Sequence, residues 1–191
     1  MKKRRLGIDI DGTVTCPSSI IPFLNKDFEL NITLQDIKEY DLLPLVSVSR
    51  EEFNKWFMDN EPEIYKTSPL AIGAKYILQK WQEEHELYFI SARGHHLLDV
   101  TKAWFSTHDL LFSHIELIGS HDKVETVKNF SVELFFEDKH DNAVAIHEQC
   151  GIPVILFNTP YNQDPIPEGV VRVNDWFEAK AWVDDWVRKT S

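Results

Sequence analysis

Ten residues near the start of the chain constrain it most: Leu6-Gly7-Ile8-Asp9-Ile10-Asp11-Gly12-Thr13-Val14-Thr15. Residues 6–10 predict a buried strand. Asp9 and Asp11 are two apart, so a strand directs both to one side. In an α/β sheet the C-terminal ends of strands are where ligands bind. Gly12 lets the backbone turn tightly and approach a ligand closely. Thr13 adds a hydroxyl and an N–H beside the pair. Either carboxylate alone reads as an N-cap or a surface charge. Together they point to a magnesium site holding a nucleophile and an acid/base. Average residue usage puts D-x-D-G-T in about one in several hundred chains of this length, so partners elsewhere must decide.

A length of 191 residues predicts one domain with a modest insertion. A hydrophobic share of 43% supplies a sizeable core. The net charge of −11 argues against a nucleic-acid polymer or an anionic membrane as partner. Cys16 and Cys150 make neither a disulfide framework nor a zinc site, which fits a reducing cytosol. Lys2-Lys3-Arg4-Arg5 resembles the basic start of a signal peptide, but the apolar run after it stops at Asp9. No window approaches a transmembrane span. The expectation is a soluble cytoplasmic protein, and a homodimer is compatible with it.

Residues 16–70 show little strand alternation. Thr33 with Asp36, and Ser49 with Glu52, read as capping boxes; Phe53, Trp56 and Phe57 follow the second as an apolar stripe. Pro44, Pro62 and Pro69 are expected to break the segment. It reads as a small helical insertion directly after the first strand, and its aromatics (Phe23, Phe28, Tyr40, Trp56, Phe57, Tyr65) as core packing.

From Ala71 strands and helices alternate. Strands are expected at 87–90, 115–118, 132–136 and 153–157, with a last short one at Val170–Val173. Helices are expected around Ala74 to Trp81, Leu97 to Phe105, 123–128 and 142–150. Gly151 stops the last of these. Asp175 caps a final helix with Trp176, Ala179, Trp182, Val183 and Trp186 on its apolar face. This alternation predicts a Rossmann-like, doubly wound parallel sheet. Residues 1–15 and 71–191 form the α/β core and 16–70 a small helical cap.

In such a sheet the strand ends open on one edge. That edge carries Asp9 and Asp11, then Ser91, then Lys123, then Glu137, Asp138 and Asp141. Singly, Ser91 and Asp138 read as helix caps and Lys123 as a solvated charge. Jointly they suit phosphate chemistry. Clustered carboxylates call for a hard cation, and Mg²⁺ takes one or two carboxylates plus substrate phosphate oxygens. Lys123, Ser91 and nearby N–H groups suit phosphoryl oxygens. One Asp then attacks phosphorus while the other protonates the leaving alkoxide and activates water.

Asp9-Ile10-Asp11-Gly12-Thr13 resembles motif I of the haloacid-dehalogenase-like (HAD) phosphohydrolases. Ser91 resembles motif II, Lys123 motif III, and Glu137-Asp138 with Asp141 the acidic motif IV. Asp122-Lys123, Pro160-Tyr161-Asn162 and Trp182-Val183-Asp184-Asp185-Trp186 are similar to stretches of the 5′(3′)-deoxyribonucleotidases. The resemblance implies Asp9 as nucleophile and metal ligand, and Asp11 as acid/base with its main-chain carbonyl on the metal. It implies Asp138 as the third ligand, supported by Glu137. Ser91 and Lys123 would hold phosphate, with help from Thr13 and Ala92. The chain departs from that family at Cys16-Pro17, where an acidic residue followed by an aromatic often stands.

The implied function is Mg²⁺-dependent hydrolysis of a small phosphorylated substrate, a (deoxy)nucleoside monophosphate, through an aspartyl phosphate. A sugar phosphate or similar metabolite ester is the alternative. Arg93 is left between two roles, binding phosphate or substrate and pairing with a carboxylate. Lys128 is an alternative to Lys123, set deeper in its helix. His95 and His96 are adjacent, point apart on a helix, and read as surface residues. A signalling receiver domain also carries clustered acids and a Lys, but the insertion after the first strand and the placing of Asp11 argue against it.

Overall fold

The structure, a computed structural model, describes residues 3–190, so Lys2 of the basic run lies outside the described residues. Six strands form one parallel sheet: β1 (Arg5–Ile8), β2 (Glu86–Ser91), β3 (His114–Leu117), β4 (Leu134–Glu137), β5 (Val154–Phe157) and β6 (Val170–Val173). Their order is β3-β2-β1-β4-β5-β6. Every residue of β4 and β5 is buried, because both faces of the sheet are covered.

The period of two sorts these strands between two cores. Ile8, Phe89, Phe136 and Ile155 face α3 (Ala74–Glu84), α4 (Leu98–Thr107) and α7 (Trp176–Thr190). Phe135, Val154 and Leu156 face α5 (Val124–Asn129) and α6 (His140–Cys150). On the first face Trp176 stacks on Phe136, with ring centroids 5.6 Å apart. The same indole donates Nε1–H to the carbonyl of Thr13 at 3.0 Å, tying the loop after β1 to the last helix. Asp175 caps α7 as expected, accepting from the N–H groups of Phe177 and Glu178.

Most boundaries shift by a residue or two from expectation, and two of the shifts have a visible cause. The ladder of β1 ends at Ile8, although Ile10 is fully buried. Ile10 instead turns the chain, its carbonyl accepting from the N–H groups of Val14 and Thr15 at 2.9 Å. Strand β4 starts at Leu134 rather than at 132, because Val132 is still held by the α5 end, its N–H on the carbonyl of Val127.

Residues 16–70 leave and rejoin the core side by side. Cys16 N–H donates to Pro69, and Ala71 N–H to Val14, both at 2.8 Å. Between them lie α1 (Ile21–Asp27), two 3-10 turns, and α2 (Arg50–Thr67). The Ser49/Glu52 capping box forms and starts α2. Leu24, Val46 and Phe53 make a small core here, with Phe28 and Trp56 packed against it. Tyr40 is an exception to the expected core packing, being 43% exposed. The expected break at Pro62 does not occur: α2 runs through it. Proline removes one intrahelical hydrogen bond. Burial of Phe53 on one side of Pro62, and of Ile64 and Tyr65 on the other, outweighs that loss.

Candidate active site

The direction of winding reverses between β1 and β4, and the crevice at that switch point is where ligands enter such sheets. Here it is a cavity of about 500 Å³, lined by Asp9, Asp11, Ser91, Lys123, Glu137 and Asp138 among others. The core supplies one wall. The other comes from residues 16–70, chiefly the face of α2 bearing Phe57, Glu61 and Tyr65.

Asp9 and Asp11 flank this cavity but take different partners. Asp9 is 5% exposed and accepts from Lys123 Nζ at 2.5 Å. The same ammonium reaches Glu137 Oε2 at 2.7 Å. Asp9, Glu137 and Asp138 each bring a carboxylate oxygen within 4.8 Å of the others. Burial pushes Asp9 up to about 7, against the pull of Lys123. Burial, then the charges of Glu137 and Asp9, raises Asp138 well above the carboxylate range. Burial alone would lower Lys123, but Asp9 and Glu137 hold it protonated. With all three acids ionised, the one buried cation among them would leave surplus negative charge, which adds to burial in raising Asp9 and Asp138. This oxygen donor set fits a hard divalent cation.

Asp138 is oriented from the far side. Tyr161 donates Oη–H to its Oδ2 at 2.5 Å. Asn162 Nδ2 donates to the Asp138 carbonyl at 2.7 Å. Glu137 Oε1 accepts from the N–H groups of Asp138 and Lys139, which lead into α6.

Asp11 is gripped by Arg93. Nε donates to Oδ2 at 2.8 Å and Nη2 to Oδ1 at 2.7 Å, a fork that also orients the carboxylate. Arg93 is 3% exposed; Nη1 donates to Thr101 Oγ1, and the guanidinium carbon lies 3.9 Å from the Tyr65 ring centre. Of the two roles left open for Arg93, the structure has the carboxylate pair.

Ser91 ends β2, buried, its Oγ accepting from the N–H of Arg93. Ala92 lines the cavity beside it. Thr13 is fully buried and does not line the cavity. Asp141 lies outside the cluster, its side chain 85% exposed and paired with His140. Lys128 is exposed in the last turn of α5. His95 and His96 are exposed, and the metal-competent cluster found among the described residues contains no histidine. Sequence reasoning missed Glu61, His121 and Asn142, which also line the cavity. Glu61 left a trace, since it sits four residues beyond Phe57, on the buried side of α2.

Gly12 carries a φ of +77°, and a Cβ there would lie 2.2 Å from Asp138 Oδ2. Gly12→Ala therefore displaces an acid of the cluster and adds about 1–2 kcal/mol of left-handed strain. Titration of the variant with a divalent cation, followed by thermal denaturation, is expected to show a smaller stabilisation than in the wild type.

No family model matches the sequence. A protein named "Putative nucleotidase" from Halalkalibacterium halodurans is 51% identical over 189 residues, covering 99% of this chain and 97% of that one. The chain belongs to the nucleotidase family of that protein. A 5′(3′)-deoxyribonucleotidase from Clostridium acetobutylicum is 24% identical over 184 residues, with 95% of each chain covered. Among solved structures, a HAD hydrolase from Bacillus subtilis bound to magnesium superposes with a TM-score of 0.63 at 13% identity, covering 96% of this chain and all of that one. It shares the fold of this nucleotidase-family chain. Among the described residues no helix is long and apolar enough to cross a membrane.

Proposed function

We propose that this chain is a magnesium-dependent phosphomonoesterase that dephosphorylates nucleoside monophosphates, with Asp9 as nucleophile. The observation that carries the reading is the meeting of Asp9, Glu137 and Asp138 around Lys123, beside an Asp11 held separately by Arg93. The names of the relatives support a nucleotide as substrate, and a magnesium-bound structure of the same fold supports the metal.

Asp9, Asp138 and the Asp11 carbonyl would hold magnesium, with Glu137 in support. Bound there, the ion supplies positive charge that lets an anionic carboxylate approach an anionic phosphate. Ser91 Oγ, N–H groups around Ala92 and Lys123 Nζ hold the phosphoryl oxygens; Thr13, buried away from the cavity, is not among them. Asp9 attacks phosphorus; the bond from phosphorus to the ester oxygen breaks, and Asp11 gives that oxygen a proton. Water then attacks the aspartyl phosphate, Asp11 takes its proton, and phosphate leaves with Asp9 restored. Arg93 keeps both Asp11 oxygens fixed between steps. Residues 16–70 act as a cap that excludes water and reads the leaving group. The free thiols of Cys16 and Cys150 fit the cytoplasm.

The test is phosphate release with Mg²⁺ over nucleoside monophosphates, sugar phosphates and a generic aryl phosphate. A large preference for sugar phosphates over every nucleotide overturns the nucleotide reading. Metal binding has its own signature. Burial holds Asp9 protonated up to about 7, and ligation needs the anion. Mg²⁺ is therefore expected to release protons on binding below that pH and to bind more tightly as pH rises towards it. Calorimetry in two buffers of different ionisation enthalpy checks the proton count.

A further inference from the structure

Resting on the nucleotidase reading, we infer that Glu61 is a specificity-determining residue, taking a hydrogen bond from an N–H or O–H donor on the nucleoside leaving group. Asn54, Phe57, Glu61 and Tyr65 recur at helical spacing and present one face of α2 to the cavity. Tyr65 marks the reacting end of that face, because its ring lies on the guanidinium that grips Asp11. At 1.5 Å per residue, Glu61 stands about 6 Å farther along the helix axis and Phe57 about 12 Å. A leaving group extending from the phosphate along α2 passes Glu61 first and the Phe57 ring next.

Glu61 is 8% exposed and is the one charged residue that α2 contributes to the cavity among the described residues. Burying a carboxylate costs free energy unless it is paired, and among the described residues only one of its oxygens is. His96 Nε2 meets Glu61 Oε1 at 3.0 Å, and among the described residues Oε2 has no hydrogen-bond partner. An ionised carboxylate only accepts hydrogen bonds. It also repels phosphate, so its partner belongs to the leaving group. The apolar side chains of Ile20, Ile37, Phe57 and Ile64 line the same cavity and give a flat ring a surface to rest on. A nucleoside combines such a ring with the required donors: hydroxyls on the sugar and N–H groups on the base.

The experiment compares kcat/KM for wild type and Glu61→Gln on 4-nitrophenyl phosphate, whose leaving group carries no such donor in the ester, and on ribo- and deoxynucleoside monophosphates of each base. The nucleotide-to-aryl ratio is expected to fall about 10–100-fold in Glu61→Gln, the range for a hydrogen bond to a charged group. A fall confined to ribonucleotides assigns the donor to the sugar; one that tracks the N–H groups of the base assigns it to the base. Either supports the inference. His96→Ala, at an exposed side chain, is expected to lower the same ratio by less. Equal loss on aryl and nucleotide esters, or no loss, overturns the inference. Should Glu61→Gln fail to fold, an unchanged ratio in His96→Ala overturns it as well. Wild-type turnover of the aryl ester without any nucleotide turnover instead overturns the nucleotidase reading, and the inference with it.

Discussion

Asp9→Asn is expected to abolish phosphate release, lowering kcat by at least about 10⁴-fold. An amide keeps the shape of the side chain but offers phosphorus no anionic oxygen. It also removes one of three crowded carboxylates, so the fold is expected to survive and thermal denaturation to show it. Asp11→Asn separates the two aspartates by leaving group. Asp11 is needed to protonate a poor alkoxide but hardly needed for a stable aryl oxide. In kcat/KM, which reports formation of the aspartyl phosphate, its loss is expected to cost about 10²–10⁴-fold on nucleotides and distinctly less on 4-nitrophenyl phosphate, while kcat falls on both because they share the water step. Asp9→Asn should spare neither substrate. Full activity of Asp9→Asn in the phosphate-release assay refutes Asp9 as nucleophile.

The contrast between these residues also marks what the sequence makes legible. Topology alone brings strand ends to one edge, so Asp9, Ser91 and Asp138 could be placed together from alternation and turn residues. Lys123 follows the same logic, because it stands just before the first turn of α5. Arg93 could not be settled that way. Its choice of Asp11 over a phosphate depends on Thr101 from α4 and Tyr65 from α2, which are close only in the folded chain. Pro62 misled for a related reason: the local rule says break, while tertiary burial on both sides of it keeps α2 intact. Glu61 sits in the run Glu61-Pro62-Glu63 and reads as a solvated charge until the 3.6-residue period is laid against the cavity. Gly12 shows the opposite case. Its tight turn was readable, but the close approach is to Asp138, a residue far off in sequence.

Lys123→Met tests whether the cluster is one electrostatic unit. The ammonium is 2% exposed and bonded to Asp9 and Glu137, so its removal leaves two buried acids without their cation. Breaking a buried pair from one side costs about 3–5 kcal/mol, and protonation of Asp9, already raised to about 7, softens that figure. For a chain of this size the expected fall in Tm is about 6–15 °C in a chelating buffer. Saturating Mg²⁺ is expected to recover part of it, because the ion puts positive charge among the same oxygens. Activity is not expected to recover with it. A hydrophobic side chain cannot hold a phosphoryl oxygen, and loss of such a preorganised charge costs about 10²–10³-fold. Stability that responds to Mg²⁺ while turnover does not would separate the two duties of Lys123, balancing the carboxylates and gripping the ester. A wild-type Tm for Lys123→Met in chelator would mean that Asp9 and Glu137 do not depend on it.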